Sequence, residues 1–179
     1  MLHRLVWYNR TSGAIASHAT AKISDIGDRM KISWAAIESR LEKDFSDVAG
    51  VNTNELAAWL ADPNRPNPIL VDARDASEFA VSHLQNAIQA QSWAEFKKAT
   101  GEQGTTQPVV IYCSVGIRSA KLARILKQNG FSDVYNLRGS IFQWANEGKA
   151  LYREQEQVLK VHPFDRHWGK LLEANHAKI

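Results

Sequence analysis

The residues of this sequence best suited to chemistry form a short loop around its single cysteine. The loop joins an apolar run to a helical repeat and reads Tyr112-Cys113-Ser114-Val115-Gly116-Ile117-Arg118-Ser119. A tight turn of this kind directs backbone N–H groups into one concavity, and the helix behind it adds its positive end. Such a nest stabilises a thiolate and attracts an anion. We therefore expect Cys113 to be a nucleophile whose pKa lies below that of a free thiol.

The other residues of the loop have expected roles that follow from their chemistry. Gly116 gives the backbone freedom where a side chain would crowd the turn. Arg118 adds a permanent charge with a forked set of donors suited to oxyanions, and Ser119 is expected to cap the following helix. The remaining substrate contacts are expected from the loop itself, at Ser114, Val115 and Ile117. The alternative is that Cys113 is a packed core thiol at a strand end, but the order of strand, glycine, arginine and helix start favours the nucleophile.

Composition narrows the class of protein. The chain has 179 residues, 44% of them hydrophobic and 23% charged, which is typical of a globular protein with one main domain. A single cysteine excludes an internal disulfide and a cysteine-rich structural zinc site. The net charge of +3 comes without a Lys/Arg cluster, so we expect no nucleic-acid partner. No apolar run approaches the roughly 18–20 residues of a membrane helix, so we expect a cytoplasmic protein without membrane contact.

The elements that must position the loop can be predicted from periodicity and capping patterns. Continuous apolar runs bounded by turn residues predict strands at 68–72, 87–89, 108–112 and 133–136. Helical spacing, caps and glycine stops predict helices at 34–45, from Asn52, at 75–82, 92–100, 119–129, 140–147 and 166–175.

Strands that are wholly apolar and alternate with helices predict an α/β fold, with a mostly parallel sheet covered on both faces. Ligands of such sheets bind beyond the carboxyl ends of the strands, where Cys113 is expected. We divide the chain into a leader-like or flexible segment at 1–30, a helical extension at 31–50, the main domain at 51–150 and a C-terminal helical tail at 151–179.

Three motifs in order resemble those of rhodanese-like sulfurtransferases. The segment Cys113 to Ser119 is similar to the active-site loop of that family. Val71-Asp72-Ala73-Arg74, with Glu78-Phe79 and the segment 83–88, resembles its earlier motif, and the segment 130–139 resembles its later strand and glycine turn. The resemblance covers about 53–148. Ser82 and Gln85-Asn86 depart from the usual residues of a turn, away from the reactive loop.

The resemblance implies the three-layer rhodanese fold and sulfur transfer without a cofactor. The Cys113 thiolate would take sulfane sulfur from a small anionic donor such as thiosulfate and pass it from a persulfide to a thiol or protein acceptor. Related phosphatases of this fold have one more residue between cysteine and arginine than the four found here, so phosphatase activity is disfavoured. A regulatory or partner-binding module, with Cys113 as a redox-sensing thiol, is the alternative. The oligomeric state stays open.

Four residues outside the loop are possible supporting members of the site. Asp72 and Arg74 end a strand and could tune the pocket charge, although an ion pair between Arg74 and Glu78 is the favoured interpretation. His83 could be an acid–base group, but the resemblance favours a role in fixing a turn. Arg138 follows the strand at 133–136 and should border the same crevice as Cys113. The histidines of the tail lack the spacing of a ligand pair, so we expect no metal.

Overall fold

A parallel sheet of five strands forms the centre of the structure, a computed structural model that describes residues 32–101 and 107–177. The predicted segment 1–30 lies outside these residues. The strands have the spatial order β1-β5-β4-β2-β3, and every neighbouring pair is parallel. Their bounds are β1 Ala49–Val51, β2 Ile69–Asp72, β3 Ile88–Gln89, β4 Val109–Tyr112 and β5 Val134–Leu137. All residues of the central strand β4 are buried, as expected for a sheet covered on both faces.

Helices connect the strands, and the predicted α/β class is confirmed. They are α1 Trp34–Asp44, α2 Thr53–Ala61, α3 Ala76–Phe79, α4 Trp93–Thr100, α5 Ile117–Gln128 and α6 Ser140–Asn146. The predicted caps are present: the Asn52 side chain accepts from two backbone N–H groups of α2, and Ser92 accepts from Glu95 of α4. Helices α1 and α4 both contact α5, whereas α2 contacts α6. None of the described helices combines the length and apolar character needed to cross a membrane.

Strand β1 was not predicted, because Ala49-Gly50-Val51 has neither the length nor the β-branched content of a recognisable strand. Its partner β5 supplies the context: Ala49, Gly50 and Val51 pair with Tyr135, Asn136 and Leu137. This edge pairing is a tertiary effect that local sequence does not encode.

The C-terminal segment corrects the predicted helical tail. It contains an antiparallel hairpin, β6 Leu151–Arg153 and β7 Glu156–Val158, and the predicted helix at 166–175 is reduced to a 3-10 helix, Trp168–Leu171. The Asp165 carboxylate accepts from the backbone N–H groups of His167 and Trp168 as an N-terminal cap does, but the helix ends at Leu172, whose backbone is extended. Pro163 packs so closely on Gly169 that a Cβ there would lie 2.8 Å from the proline ring.

Candidate active site

Cys113 directly follows the central strand β4, at the carboxyl edge of the sheet. Its backbone N–H donates to Ser140 Oγ at 3.1 Å, and its carbonyl accepts from the Ile141 N–H at 3.2 Å. The Phe142 N–H donates to the carbonyl of Ser114 in the same way. Ser140 has a positive φ of 50° and donates its hydroxyl to the Leu137 carbonyl. The start of α6 therefore fixes the reactive loop from behind.

The thiol sulfur lies inside the loop and accepts two hydrogen bonds. The Gly116 N–H donates to Sγ at 3.1 Å, and the Ser119 hydroxyl donates to it at 3.4 Å. Gly116 has a φ of 112°, and a Cβ on it would lie 3.2 Å from Leu41 of α1, so this position needs glycine. The turn lets α5 begin at Ile117, with Gly116 in the cap position. The expectation that Ser119 caps the helix is therefore wrong, because Ser119 lies in the first turn and faces the thiol.

The electrostatic surroundings of Cys113 favour the thiolate. The residue is 1% exposed, and this burial alone would raise the pKa of the thiol. The positive charge of Arg118 and the hydrogen bonds from Ser119 and Gly116 outweigh burial, and the pKa lies below its ordinary value. This combination fits a nucleophile better than an inert core thiol.

Arg118 is held by a buried carboxylate that sequence reasoning did not include in the site. Its Nη1 and Nη2 donate to the two oxygens of Glu78 at 2.7 and 2.8 Å, and Glu78 is 1% exposed. The Ser114 hydroxyl donates to Glu78 and accepts from Arg118. Burial opposes ionisation of Glu78, but the hydrogen bonds from Arg118 and the Asp75 backbone hold its pKa below the ordinary value. The sequence had assigned Glu78 to an ion pair with Arg74, so its contact with Arg118 was not expected.

Arg74 pairs with Asp72, so the predicted ion pair between Arg74 and Glu78 is wrong. The side chains of Arg74 and Asp72 are fully buried, with Nη2 to Oδ2 at 2.6 Å and Nε to Oδ1 at 2.9 Å. Arg74 also donates to the Ser82 carbonyl. Asp72 ends β2, and its carboxylate also accepts from the Arg74 backbone N–H. This local turn places the Arg74 side chain against Asp72 and not against Glu78. Neither residue lines the cavity at Cys113.

Neither His83 nor Arg138 lines the cavity at Cys113. The ring of His83 stacks on Phe79 with centroids 4.2 Å apart, and its Nδ1 contacts the Leu84 carbonyl at 2.9 Å. Arg138 donates to Glu38 of α1 at 2.6 Å and lines a separate cavity of about 380 Å³. The expectation that Arg138 borders the crevice of Cys113 is therefore wrong. The aliphatic part of the Arg138 side chain passes over Gly50, where a Cβ would lie 2.4 Å from Nε. The absence of a side chain at Gly50 lets the guanidinium reach α1.

A cavity of about 160 Å³ opens over the thiol. It is lined by loop residues and by three residues from distant parts of the chain; the full lining is Arg40, Cys113, Ser114, Val115, Ile117, Arg118, Phe164 and Trp168. The Phe164 ring lies over the Arg118 guanidinium, 4.7 Å from the ring centroid. The distant residues carry no motif, so only the fold reveals them. Within the described ranges, no group of three or more His, Cys, Asp or Glu is placed to hold a metal ion.

Comparison with known proteins agrees with this geometry. A family model described as Rhodanese-like domain matches residues 52–147, which include the whole loop from Cys113 to Ser119. The chain belongs to this family. The solution structure of the rhodanese-like domain of an Anabaena protein matches with a TM-score of 0.52 at 18% identity, over 62% of this chain and 80% of that one, which supports the fold.

Two relatives show how far the similarity reaches. The uncharacterized protein YqhL of Bacillus subtilis is 33% identical over 81 residues, 45% of this chain and 64% of that protein. A tRNA uridine(34) hydroxylase of Cronobacter sakazakii is 29% identical over 151 residues, 79% of this chain and 42% of the hydroxylase. The chain thus spans about two thirds of the first relative and less than half of the second.

Proposed function

We propose that the protein is a sulfurtransferase that carries sulfane sulfur as a persulfide on Cys113. The observation that carries this proposal is the pair of hydrogen bonds, from Gly116 and Ser119, that converge on the thiol sulfur. The donors surround one sulfur atom, in a loop closed by the glycine turn. Arg118 adds the charge that lowers the pKa of the Cys113 thiol, so a larger fraction of the thiol is thiolate than in a free cysteine.

The first half-reaction loads the sulfur. The Cys113 thiolate attacks the outer sulfur of a donor such as thiosulfate, and a new S–S bond forms. The old bond to the inner sulfur breaks, and sulfite leaves with the electron pair. The terminal sulfur of the persulfide then carries the negative charge, and the donors around the loop can stabilise it.

The second half-reaction unloads it. A thiophilic nucleophile attacks the terminal sulfur of the persulfide, and Cys113 leaves as the thiolate that the loop already stabilises. The two half-reactions predict ping-pong kinetics. Since the chain contains no second cysteine, no thiol within these 179 residues can be the acceptor.

Intact-mass spectrometry tests this proposal directly. Incubation with thiosulfate should add the mass of one sulfur atom to the wild-type protein, and cyanide or a small thiol should remove it through repeated cycles. Cys113→Ser should acquire no added mass. A protein that is oxidised at Cys113 but gains no sulfur from any donor would favour the redox-sensing module instead.

Modification of a tRNA uridine is a second candidate, favoured by the names and the extent of the relatives. Hydroxylases of this kind match 79% of the chain in Cronobacter sakazakii and 83% in Salmonella newport. Adding a hydroxyl oxygen to uridine requires an oxidant. Incubation with tRNA and molecular oxygen, followed by nucleoside mass analysis, distinguishes the candidates: hydroxylation adds the mass of one oxygen atom to uridine, whereas sulfur transfer to a thiol acceptor leaves uridine unchanged.

A further inference from the structure

We infer that Arg40, on the N-terminal helix α1, selects and holds the anionic donor at the mouth of the Cys113 cavity. This inference rests on the proposed function, because it assigns the residue that recognises the donor of that reaction. The substrate class is a small anion that carries sulfane sulfur, with thiosulfate as the probe.

The charges around the thiol show why a further cation is needed. Cys113 as a thiolate and Glu78 are both negative, and Arg118 balances only one of them. Two nitrogens of Arg118 are already committed to Glu78, and the Phe164 ring covers its guanidinium. An anionic donor that approaches the thiolate therefore meets more negative than positive side-chain charge unless another cation faces the cavity.

Arg40 is in a position to supply that charge. It lines the same cavity as Cys113, although 73 positions separate them in sequence (113 minus 40). Its ion pair joins Nε to Asp44 at 3.4 Å, with 57% and 42% of the two side chains exposed. A long, exposed pair of this kind is weak, and it engages one of several N–H donors of the guanidinium. Arg40 can therefore exchange water for an anion at little cost.

The size and the walls of the cavity define what can enter. A volume of about 160 Å³ is below the roughly 300–1,000 Å³ of sites for drug-sized ligands, which suits a small anion. Phe164 and Trp168 form the aromatic part of the wall, and the attraction between Arg40 and an anion is stronger beside such groups than in open water. All three residues lie outside the matched range 52–147, so donor selection depends on the flanks of this chain.

Alkylation of Cys113 tests anion selection without requiring sulfur transfer. Iodoacetate and iodoacetamide both form an S–C bond with the thiolate and release iodide, but only iodoacetate is anionic. In Arg40→Gln we expect the ratio of the iodoacetate rate to the iodoacetamide rate to fall about tenfold, while Arg40→Lys keeps most of it. Arg153→Gln removes one exposed charge in the hairpin and should leave the ratio unchanged.

Thiosulfate binding to Cys113→Ser, measured by calorimetry, gives the same comparison where no reaction can occur. Adding Arg40→Gln should raise the dissociation constant about tenfold. If the alkylation ratio and the thiosulfate affinity are both unchanged by Arg40→Gln, the role of Arg40 is refuted. If both change but wild type never acquires a sulfur adduct, the proposed function fails while anion selection by Arg40 stands.

Discussion

The ionisation of Cys113 depends on a balance between two side chains of opposite charge. Arg118 stabilises the thiolate, and Glu78 fixes Arg118 while opposing part of its charge. The position of Glu78 at the end of the short helix α3 lets one carboxylate contact Arg118, Ser114 and the Asp75 backbone. The network of Arg118, Glu78 and Ser114 therefore adds to the hydrogen bonds from Gly116 and Ser119 in setting the reactivity of the thiol.

Opposite charge changes in this network should move the thiol pKa in opposite directions. Arg118→Met removes the positive charge, so we expect the pKa of Cys113 to rise and the alkylation rate to reach half its maximum at higher pH. Glu78→Gln removes the negative charge, so that half-maximum should lie at lower pH. The pH dependence of iodoacetamide labelling measures both. Arg118→Lys, which keeps the charge, should shift the profile less than Arg118→Met, and shifts of both variants in one direction would contradict this account.

The buried pair of Asp72 and Arg74 should matter for stability. Asp72→Asn leaves a fully buried guanidinium without its anion, and we expect a loss of about 3–5 kcal/mol in the free energy of unfolding. Urea denaturation measures this loss. Glu42→Gln changes one exposed carboxylate on α1 and should stay within about 0.5 kcal/mol of wild type. An equally small effect of Asp72→Asn would mean that the pair contributes little.

The reactive loop could be identified from sequence because cysteine, glycine and arginine follow a strand within a few residues. The contacts of the arginines could not. Asp72 and Glu78 are both near Arg74 in sequence, and either could be its partner. Which of them pairs with Arg74 and which with Arg118 depends on how β2 and α5 meet at the edge of the sheet. Arg40 lies within the helix predicted at 34–45, and helical spacing says nothing about the cavity that this residue lines.

Two elements outside the matched domain shape the approach to the thiol. Helix α1 brings Arg40, and the segment between β7 and the 3-10 helix brings Phe164. Phe164 has a positive φ of 65° and is 43% exposed, so its backbone is held in a conformation that costs about 1–3 kcal/mol. Its ring contact with Arg118 and the hydrogen bond from its backbone N–H to His162 Nδ1 oppose this cost.

Removing the Phe164 ring should widen the approach to Cys113. In Phe164→Ala we expect the bulky reagent N-ethylmaleimide to label Cys113 several-fold faster, with little change in the pH profile of iodoacetamide labelling, since the charges around the thiol stay in place. Leu159→Ala, at an exposed leucine that does not line the cavity, is the matched control. Equal labelling rates in Phe164→Ala and wild type would show that the ring does not limit access.

Element prediction succeeded where the local signal was complete. The Asn52 and Ser92 caps fixed the starts of α2 and α4, and the apolar run at 109–112 fixed β4. The helix predicted at 166–175 was wrong because Trp168, Leu171 and Leu172 have helical spacing, yet the backbone becomes extended at Leu172. At this point the Asn146 side chain of α6 donates to the Leu171 carbonyl and accepts from the Glu173 N–H. Spacing alone does not register such a contact.

At the scale of the whole molecule, ionised carboxylates join elements that are far apart in sequence. Glu78 joins α3 to α5, Glu147 at the end of α6 accepts from Thr53 of α2, and Asp47 accepts from Arg124 of α5. The pKa of each carboxyl lies below its ordinary value. For Glu78 and Glu147 burial opposes this shift and hydrogen bonds outweigh it, and for Asp47 the bond from Arg124 is the main cause.

Acid should therefore weaken the fold through these links. A carboxyl whose pKa is lower in the folded state stabilises fully above the unfolded pKa, 4.5 for Glu78, and loses that contribution as pH falls through the folded pKa. We expect Glu78→Gln to unfold more easily at pH 7, by about 1–3 kcal/mol, and to converge with wild type in strong acid. The urea midpoints of Glu78→Gln and wild type, measured from about pH 7 down to strong acid, give the difference in stability. Parallel curves for the variant and wild type would contradict the assignment, and Glu42→Gln should follow wild type.

The burial of Cys113 also affects how long a persulfide formed on it would last. Because the thiol is 1% exposed and the space above it is about 160 Å³, a sulfur atom loaded there lies beyond the reach of bulky reductants. On the proposed function, bulky reductants then leave the persulfide intact, and the loaded protein discharges only to an acceptor small enough to enter the cavity. Supply and delivery of sulfur are thereby uncoupled, and one chain can hold a reactive atom in reserve between two encounters.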